Sequence, residues 1–442
     1  MDAEMLLEIE NLGPINKANL DIKKINVIVG KNSTGKSTSS KFLFCLLTSL
    51  SKEGIYLANM DIKNRLNRLY YLLSLNFFED ETINSSDLNP IEELLNKPSS
   101  NDLFDDICHM LYDLSKKINS PPLKEMYLQQ LKRVQELIRI NKNRESQYVK
   151  IFNSLLDSEY AFSLKKDTHV TFKGVVGGQP IVNEILIKEH SRSGKVNTDL
   201  YKHLNFENIV YVDSLSILEF DNEKAIQSIE ESNKFIDERY PYHIQQLNRK
   251  LKNTRNKGIY DDDYYNDLDV FKRKIDDMIG GNFKYDEENK RFMLEKDGED
   301  YSMENTSSGL KQLGVIQLLL KNRELTENSF LILDEPEVHL HPGFQVQLAE
   351  ILVLLAKDLN ITTYINTHSP FLAEAIEVYS KYYKMYNQTN FYLTEKVKDK
   401  NKYDYILMDD EDIFEVYNTL GYPFETLNSI RFETELRDDL GG

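Results

Sequence analysis

The chain has 442 residues, 40% of them hydrophobic, and a formal net charge of −18 at pH 7. This acidity argues against a protein whose whole surface grips nucleic acid, because neutralising phosphates requires clustered cations; a local basic patch stays compatible with it. Two cysteines are too few for a disulfide framework and are typical of a reducing compartment. The length favours about three domain-sized units, or one domain with large insertions.

Neither a signal peptide nor a membrane span is predicted. The amino-terminal residues carry acids where a signal peptide carries lysines. The most apolar stretches, 42–50 and 348–356, have about nine residues each, whereas a transmembrane helix needs about twenty. The sequence therefore predicts a cytoplasmic protein that does not enter a membrane.

The first part of the chain is predicted to form strands and then helices. Residues 5–30 have the pattern of strands, and the apolar run at 25–29 is typical of a fully buried parallel strand. A glycine-rich loop and an apolar helix follow. Residues 58–150 have mostly helical periodicity, with a polar loop predicted at 84–89 and a break at Pro121-Pro122.

The second part is predicted to end in alternating helices and strands. Strands are expected at 160–190 and 208–213, charged helices at 222–279, and a β-hairpin at 282–303. Beyond these, the predicted elements are helix 309–322, strand 330–333, helix 343–358, strand 361–366, helix 370–379 and strand 390–395. Such alternation predicts an α/β fold with a parallel sheet covered by helices.

The loop after the first buried strand matches the phosphate-binding pattern G-x-x-x-x-G-K-[ST]. Its glycines allow a tight turn that points N–H groups at phosphates, and the following helix adds the positive end of its dipole. Lys36 is expected to reach the β- and γ-phosphates, and the Ser37 hydroxyl to ligate Mg²⁺. The predicted ATP-binding residues are Gly30, Lys31, Asn32, Ser33, Thr34, Gly35, Lys36, Ser37 and Thr38. A chance glycine-rich turn is the alternative.

A second signal is FLILDEPEVHLHP at 330–342, where two acids end an apolar strand. Ligands of open α/β sheets bind at the carboxyl ends of their strands. Asp334 is expected to hold Mg²⁺ through water, and Glu335 to polarise the attacking water as general base. The alternative is that both acids simply begin the next helical turn. Because Asp334 lies far from Lys36 in the sequence, a large insertion is expected between them.

Two further segments have both a structural and a functional interpretation. Ser307, Ser308 and Gly309 precede an apolar helix, as an N-cap or as a helix N-terminus aimed at a γ-phosphate. His368 follows a predicted strand and is expected at the same sheet edge as Asp334, where an imidazole can contact the γ-phosphate or the water. A purely structural histidine is the alternative.

In this order, the phosphate loop, the serine–glycine pair, the DE-ended strand and the histidine resemble the motifs of ATP-binding-cassette (ABC) ATPases. DEPEVHLHP together with NTHSP resembles the non-transporter branch, which includes RecF-like and OLD-like ATPases, often labelled AAA15 or AAA21. The resemblance covers residues 5–55 and 300–396. It implies an α/β ABC-ATPase head, a mixed sheet flanked by helices, with helical insertions, and it implies ATP and Mg²⁺ as cofactors.

The resemblance also implies a homodimer that sandwiches two ATP molecules. One chain would supply Lys36, Ser37, Asp334, Glu335 and His368, with Glu335, His368 and Lys36 as the catalytic residues. The other chain would supply the signature residues Ser307, Ser308 and Gly309. Leu310 stands where the transporter signature has a second glycine. No glutamine of the family's Q-loop is recognised, and the strand at 208–213 with Ser214 is a candidate for its place.

Six segments are expected along the chain. They are an amino-terminal ATPase lobe with the phosphate loop (1–57), a helical insertion (58–150), a β-rich return (151–221), a helical hairpin (222–280), a carboxy-terminal ATPase lobe (281–400) and a strand and helix tail (401–442).

Several relatives with the same motifs are disfavoured by the sequence. A transporter subunit would lack the large insertion, and a Rad50 or SMC protein needs hundreds of heptad residues, whereas the charged segment 222–279 is short and broken at Pro241. OLD-family nucleases carry a Toprim domain, for which the residues after His368 are too few. The acids at 409–412 are interpreted as the cap of a helix at 412–430, although they resemble an acidic metal cluster.

The remaining hypothesis is a free-standing ATPase head. It resembles the ATPase subunits of bacterial antiphage systems of the PARIS or Septu type, which implies a homodimer or higher homo-oligomer and a separately encoded effector, a nuclease or toxin. The alternative is a RecF-like DNA-binding ATPase in repair or recombination. Basic faces at 63–69, 131–144 and 247–257 would then bind DNA, or else they are solvated helix surfaces.

Overall fold

An eleven-stranded sheet organises the chain. The computed structural model describes residues 4–80, 83–160, 168–176, 179–188, 191–195, 206–213, 218, 236, 240–253, 273–303, 306–409 and 427–432. The sheet contains β1 (Glu4–Glu10), β2 (Ile15–Ile22), β3 (Ile25–Val29), β4 (Thr168–Val176), β5 (Gln179–Lys188), β6 (Ser191–Lys195), β7 (Ile209–Val212), β11 (Phe330–Asp334), β12 (Thr362–Thr367), β13 (Thr389–Lys396) and β14 (Tyr403–Met408). A separate three-stranded sheet contains β8 (Asn282–Asp286), β9 (Arg291–Lys296) and β10 (Glu299–Ser302).

The strand order is β6-β5-β4-β1-β2-β14-β13-β3-β12-β11-β7. The last five strands in this order are mutually parallel, and β3, β12, β11 and β7 are buried throughout. Continuous burial is expected of parallel strands with helices on both faces. The β1, β4, β5 and β6 strands pair antiparallel, so the sheet is mixed. The buried strands predicted from the apolar runs are confirmed.

The helices within the described ranges are α1 (Lys36–Leu50), α2 (Lys52–Asp80), α3 (Ser85–Leu95), α4 (Asn101–Ser115), α5 (Pro121–Lys142), α6 (Arg144–Tyr160), α7 (Tyr242–Lys252), α8 (273–279), α9 (Ser308–Lys321), α10 (Pro342–Asp358) and α11 (Pro370–Tyr382). None of them has the length and apolar character that crossing a membrane needs.

The sheet separates two hydrophobic cores. Along β11, Leu331 and Leu333 face the core that α9, α10 and α11 cover, whereas Phe330 and Ile332 face the core that α1 and α6 cover. Alternate strand residues point to opposite faces, so one apolar strand serves both cores. The predicted fold class, an α/β fold with a phosphate loop and a mixed sheet flanked by helices, is confirmed.

A third core belongs to the helical layer, by which we mean helices α2 to α5. It is formed by apolar residues of these helices, among them Leu66, Ile107 and Val134. The loop predicted at 84–89 is wrong, because Ser85–Leu95 is helical. The backbone N–H of Asn84 donates to Asp87 Oδ2 at 3.0 Å, so the polar run is a helix start rather than a loop.

The predicted hairpin and the predicted charged helices are described only in part as expected. The segment predicted as a hairpin at 282–303 contains a third strand, because Asp297 and Gly298 adopt positive φ and turn the chain back after β9. Of the predicted helices at 222–279, α7 and α8 are described, residues 236, 240, 241 and 253 are described and are not helical, and the rest lies outside the described residues. The predicted helix at 412–430 and the acids at 410–412 also lie outside them, apart from the helical residues 427–432.

Candidate functional site

The predicted motifs meet at the carboxyl edge of the parallel strands. Asp334 lies beside Asn366 in the register of β11 and β12, and Asn366 lies beside Ile28 of β3. The backbone N–H of Gly30 donates to the Thr367 carbonyl at 3.3 Å, which ties the start of the phosphate loop to the end of β12. Sheet order therefore brings together segments that are distant in sequence, at the edge where α/β proteins bind ligands.

The phosphate loop has the backbone that an anion-binding loop requires. Ser33 and Gly35 have φ angles of 65° and 100°, and α1 begins directly after Gly35. Successive N–H groups in such a turn, followed by a helix N-terminus, form a concave anion site. A Cβ atom on Gly30 would lie 1.8 Å from Thr394 Oγ1, so only glycine fits there.

Lys36 is held inside the loop that precedes it. Its ammonium donates to the carbonyls of Gly30 and Lys31 at 2.8 and 2.9 Å, and the residue is 4% exposed. Burial lowers the pKa of Lys36, while the charges of Glu335, Asp334 and Glu337 oppose this shift. A buried cation at a phosphate-binding loop is suited to the terminal phosphates of a nucleotide.

Asp334 is fixed by a buried network of neutral hydrogen-bonding groups. Its two carboxylate oxygens accept hydrogen bonds from Asn366 Nδ2 at 2.8 Å and from the Tyr211 hydroxyl at 2.9 Å. Ser40 on α1 completes the network, at 2.9 Å from Asn366 Nδ2 and 3.0 Å from the Tyr211 hydroxyl. Because each carboxylate oxygen already accepts one hydrogen bond, Asp334 is compatible with a metal held through water, and its role as a metal ligand stays a prediction.

Glu335 and His368 stand side by side and reach solvent. Glu335 Oε1 lies 3.6 Å from His368 Nδ1, and the two side chains are 33% and 38% exposed. Glu335 has a φ of 53°, and its backbone N–H donates to the Asn366 carbonyl at 2.9 Å. The attacking water must have access to the general base. The exposed Glu335 fits that role, whereas the buried Asp334 does not.

The predicted signature residues lie beside a different part of the site. Ser307 is the N-cap of α9, and a Cβ atom on Gly309 would lie 3.2 Å from Leu340 Cδ2 and 3.5 Å from the His339 carbonyl. These neighbours belong to the turn that follows β11. Ser308 begins α9. The signature thus contacts the segment after Glu335 in its own chain, while Lys36, Asp334, Glu335 and His368 cluster around the phosphate loop.

Sequence reasoning missed the residues that orient the predicted ones. Tyr211 and Asn366 hold Asp334. The signal for Tyr211 was a polar group inside an otherwise apolar strand, whereas Asn366 lies in a strand that already contains several polar residues. Asp213 follows β7 directly, in the segment predicted to take the place of the Q-loop. Its Oδ2 atom lies 4.0 Å from Lys41 Nζ. Ser214 lies outside the described residues.

His243 links Asp213 to helix α6. Its Nε2 is 2.8 Å from Asp213 Oδ2, its Nδ1 is 2.6 Å from Glu159 Oε2, and its backbone N–H donates to the other oxygen of Glu159. Burial by itself lowers the pKa of His243, but the hydrogen bonds and charges of Asp213 and Glu159 raise it to about 9. The imidazolium therefore cross-links the edge of the sheet to the helices.

Alkaline pH is expected to weaken this cross-link. In the unfolded chain the pKa of a histidine is about 6.5, so the charged His243 stabilises the fold fully below that pH and ceases to do so as the pH rises through 9. The shift corresponds to roughly 3 kcal/mol. The melting temperature between pH 7 and pH 10 should fall more steeply for the wild type than for His243→Gln.

His109→Gln is the matched control, because His109 is exposed on α4. This variant is expected to melt with the pH dependence of the wild type. Equal pH slopes for the wild type and His243→Gln would contradict the predicted role of the imidazolium.

Fold and site together define a P-loop nucleotide-binding protein. The family described as AAA ATPase domain (AAA_15) matches residues 5–373, and the chain belongs to that family. It is therefore an ATPase, which confirms the predicted enzyme class. No match was found among curated proteins.

The chain is also similar to solved SMC head domains. One is an SMC head bound to the C-winged helix domain of ScpA, with 11% identity and a TM-score of 0.43, covering 94% of this chain and 100% of that chain. Another is the SMC head domain from Thermotoga maritima, with 12% identity and a TM-score of 0.40, covering 92% and 100%. A third is an Smc head with an extended coiled coil, bound to the C-terminal domain of ScpA derived from Pyrococcus furiosus, with 11% identity and a TM-score of 0.39, covering 97% and 100%.

Proposed function

We propose that this ATPase works as a nucleotide-sandwich homodimer, or a higher homo-oligomer built from it, in a bacterial antiphage defence system. Its ATP cycle would control a separately encoded effector, a nuclease or toxin. The sandwich is supported by the segment that the signature meets in its own chain, which is the turn after β11 and not the phosphate loop. Lys36, Asp334, Glu335 and His368 surround the phosphate loop, whereas Gly309 lies against Leu340 in the turn after β11. A second chain is the natural source of a signature for each site.

The proposed mechanism assigns one task to each residue. Lys36 and the loop N–H groups bind the β- and γ-phosphates and offset their charge. Ser37 and Asp334, the latter through water, would hold Mg²⁺, which supplies charge neutralisation on the phosphate oxygens when bound. Glu335 accepts the proton of the attacking water. His368, next to Glu335, donates a hydrogen bond toward the γ-phosphate or the water.

The proposed effector site is the helical layer. The helical layer has a hydrophobic core of its own, separate from the two cores beside the sheet. Tyr71, Leu75, Tyr112 and Met126 are large apolar residues exposed on its helices, and apolar exposure of this kind favours a protein partner. Co-purification with the product of a neighbouring gene, lost on Tyr112→Glu, would support the defence role.

Ion pairs weaken the support for the alternative, a RecF-like DNA-binding ATPase. In the predicted basic faces, Arg65 pairs with Asp61, Lys142 with Asp105, and Lys250 with Glu324. Cations already neutralised by carboxylates are poor phosphate ligands. Lys132, Arg133 and Arg139 are exposed on α5 and are the remaining candidates in that segment. ATP hydrolysis stimulated by DNA, with a steep dependence on salt, would favour the repair function instead.

Mixing two inactive variants tests the sandwich. Lys36→Ala removes the phosphate-loop function, and Ser308→Arg blocks the signature helix at its first residue. In an equal mixture, half of the dimers contain both variants, and each of these has one site with an intact loop and an intact signature. The mixture should therefore regain about a quarter of the wild-type ATPase rate.

Light scattering and a dye-labelled subunit would show that mixed dimers have formed. Each variant alone should stay inactive at every protein concentration. A mixture that forms mixed dimers and remains inactive would contradict shared sites and would indicate that one chain supplies both loop and signature.

A further inference from the structure

Glu337 is a buried carboxylate that the proposed mechanism does not use. It lies two residues after Glu335, and its side chain is 3% exposed. Its Oε1 accepts hydrogen bonds from the Thr367 hydroxyl at 2.7 Å and from the backbone N–H of His368 at 2.8 Å. One carboxylate oxygen therefore joins the turn after β11 to the last residue of β12 and to the residue beyond it.

The second carboxylate oxygen of Glu337 lowers the stability of the fold. Among the described residues, Oε2 is buried and has no hydrogen-bond partner. Burial raises the pKa of Glu337, and the hydrogen bonds from His368 and Thr367 oppose that shift. A buried carboxyl oxygen without a donor lowers stability, so the benefit of a glutamate at this position has to come from its contacts with β12 and His368.

Glu337 contacts both the main chain and the side chain of His368. The His368 Nδ1 atom lies 3.3 Å from Glu337 Oε1 and 3.6 Å from Glu335 Oε1, so the imidazole sits between the two carboxylates. The next residue is fixed as well, because the Ser369 N–H donates to Thr367 Oγ1 at 3.0 Å and the Ser369 hydroxyl caps α11. The main chain is therefore held on both sides of the ring, whereas Nδ1 is buried and has no hydrogen-bond partner within the described part of the chain.

We propose that Glu337 is a positioning residue for ATP hydrolysis, which fixes the main chain at His368 and so keeps the imidazole beside Glu335. The proposal rests on the roles proposed above for Glu335 and His368. Glu337 itself touches neither nucleotide nor water in this mechanism. Its removal should therefore affect turnover through His368 and leave ATP affinity nearly unchanged.

A double-mutant cycle tests this dependence. Glu337→Ala alone should lower kcat at least about tenfold while the Kd for a fluorescent ATP analogue changes less than about twofold. In the His368→Ala background the same substitution should cost less than about twofold, because the residue it positions is gone. Glu337→Gln should retain most of kcat, since the amide oxygen can accept both hydrogen bonds.

Glu337→Asp extends the test without removing the charge. Its shorter side chain cannot span the gap to Thr367 and His368, so it should lose kcat as Glu337→Ala does. If Glu337→Ala shows no melting transition, the cycle is run with Glu337→Asp and Glu337→Gln instead. The melting temperature of each variant is recorded alongside its kcat.

Three results would overturn the proposal. Equal losses of kcat in the wild-type and His368→Ala backgrounds would mean that Glu337 does not act through His368. Wild-type kcat in both Glu337→Ala and Glu337→Asp would mean that it positions nothing. A His368→Ala variant with wild-type kcat would overturn both the proposed role of His368 and the positioning role of Glu337. Of the three results, only this one would also contradict part of the proposed function.

Discussion

Replacing Glu335 with glutamine is expected to leave ATP bound but unhydrolysed. The amide has the shape of the carboxylate and cannot accept a proton, so kcat should fall at least about a hundredfold. Lys36 and Asp334 keep their contacts, because Asp334 is held by Tyr211 and Asn366 rather than by Glu335. Phosphate release in a single turnover measures the loss, and an ATP-dependent dimer should accumulate on size exclusion with light scattering.

The control for this prediction lies at the other end of the same strand. Glu327 is exposed and stands three residues before β11, so Glu327→Gln makes the same chemical change away from the site. It should hydrolyse ATP like the wild type. Wild-type turnover by Glu335→Gln would show that another group takes the proton, and the assignment of the base would be wrong.

Replacing Lys36 with alanine is expected to abolish ATP binding. The ammonium is the buried cation among the Gly30 and Lys31 carbonyls and the charges of Asp334, Glu335 and Glu337. Without it, only the loop N–H groups would offset the charge of a triphosphate that lies beside carbonyl oxygens and carboxylates, so its Kd should rise at least about a hundredfold. Isothermal titration with ATP and Mg²⁺ measures this change directly.

The Lys36→Ala substitution should leave the stability of the nucleotide-free protein nearly unchanged. Burial lowers the pKa of Lys36, so the fold holds this charge at a cost and gains little by keeping it. Lys36→Ala should melt near the wild-type temperature without nucleotide, and should lose the stabilisation that ATP gives the wild type. Lys52→Ala, on an exposed side chain at the start of α2, is the matched control. ATP affinity retained by Lys36→Ala would contradict the phosphate-loop assignment.

The elements that carry the site could be predicted from the order of apolar and polar residues. Short, mostly apolar runs marked β3, β7 and β11 as buried parallel strands, because strands covered on both faces have few polar positions. The β12 strand is richer in threonine and was predicted from the alternation of helices and strands. A parallel sheet has one carboxyl edge, so Lys36, Asp334 and His368 could be placed together before any contact was known. The polar run at 84–89 was misread, because Asn84 and Asp87 fit a turn as well as a helix cap.

The side chains that orient the predicted site residues could be identified only from contacts in the folded chain. Tyr211, Glu337 and His243 act through partners that lie 123, 30 and 84 residues away in the chain. Periodicity reports the burial of a position but not what faces it across the sheet, and strand order is set by packing of whole layers. The role of a buried tyrosine or glutamate therefore cannot be predicted from the sequence until its hydrogen-bond partner is known. Burial without a partner lowers stability, whereas burial with a partner fixes the orientation of both side chains.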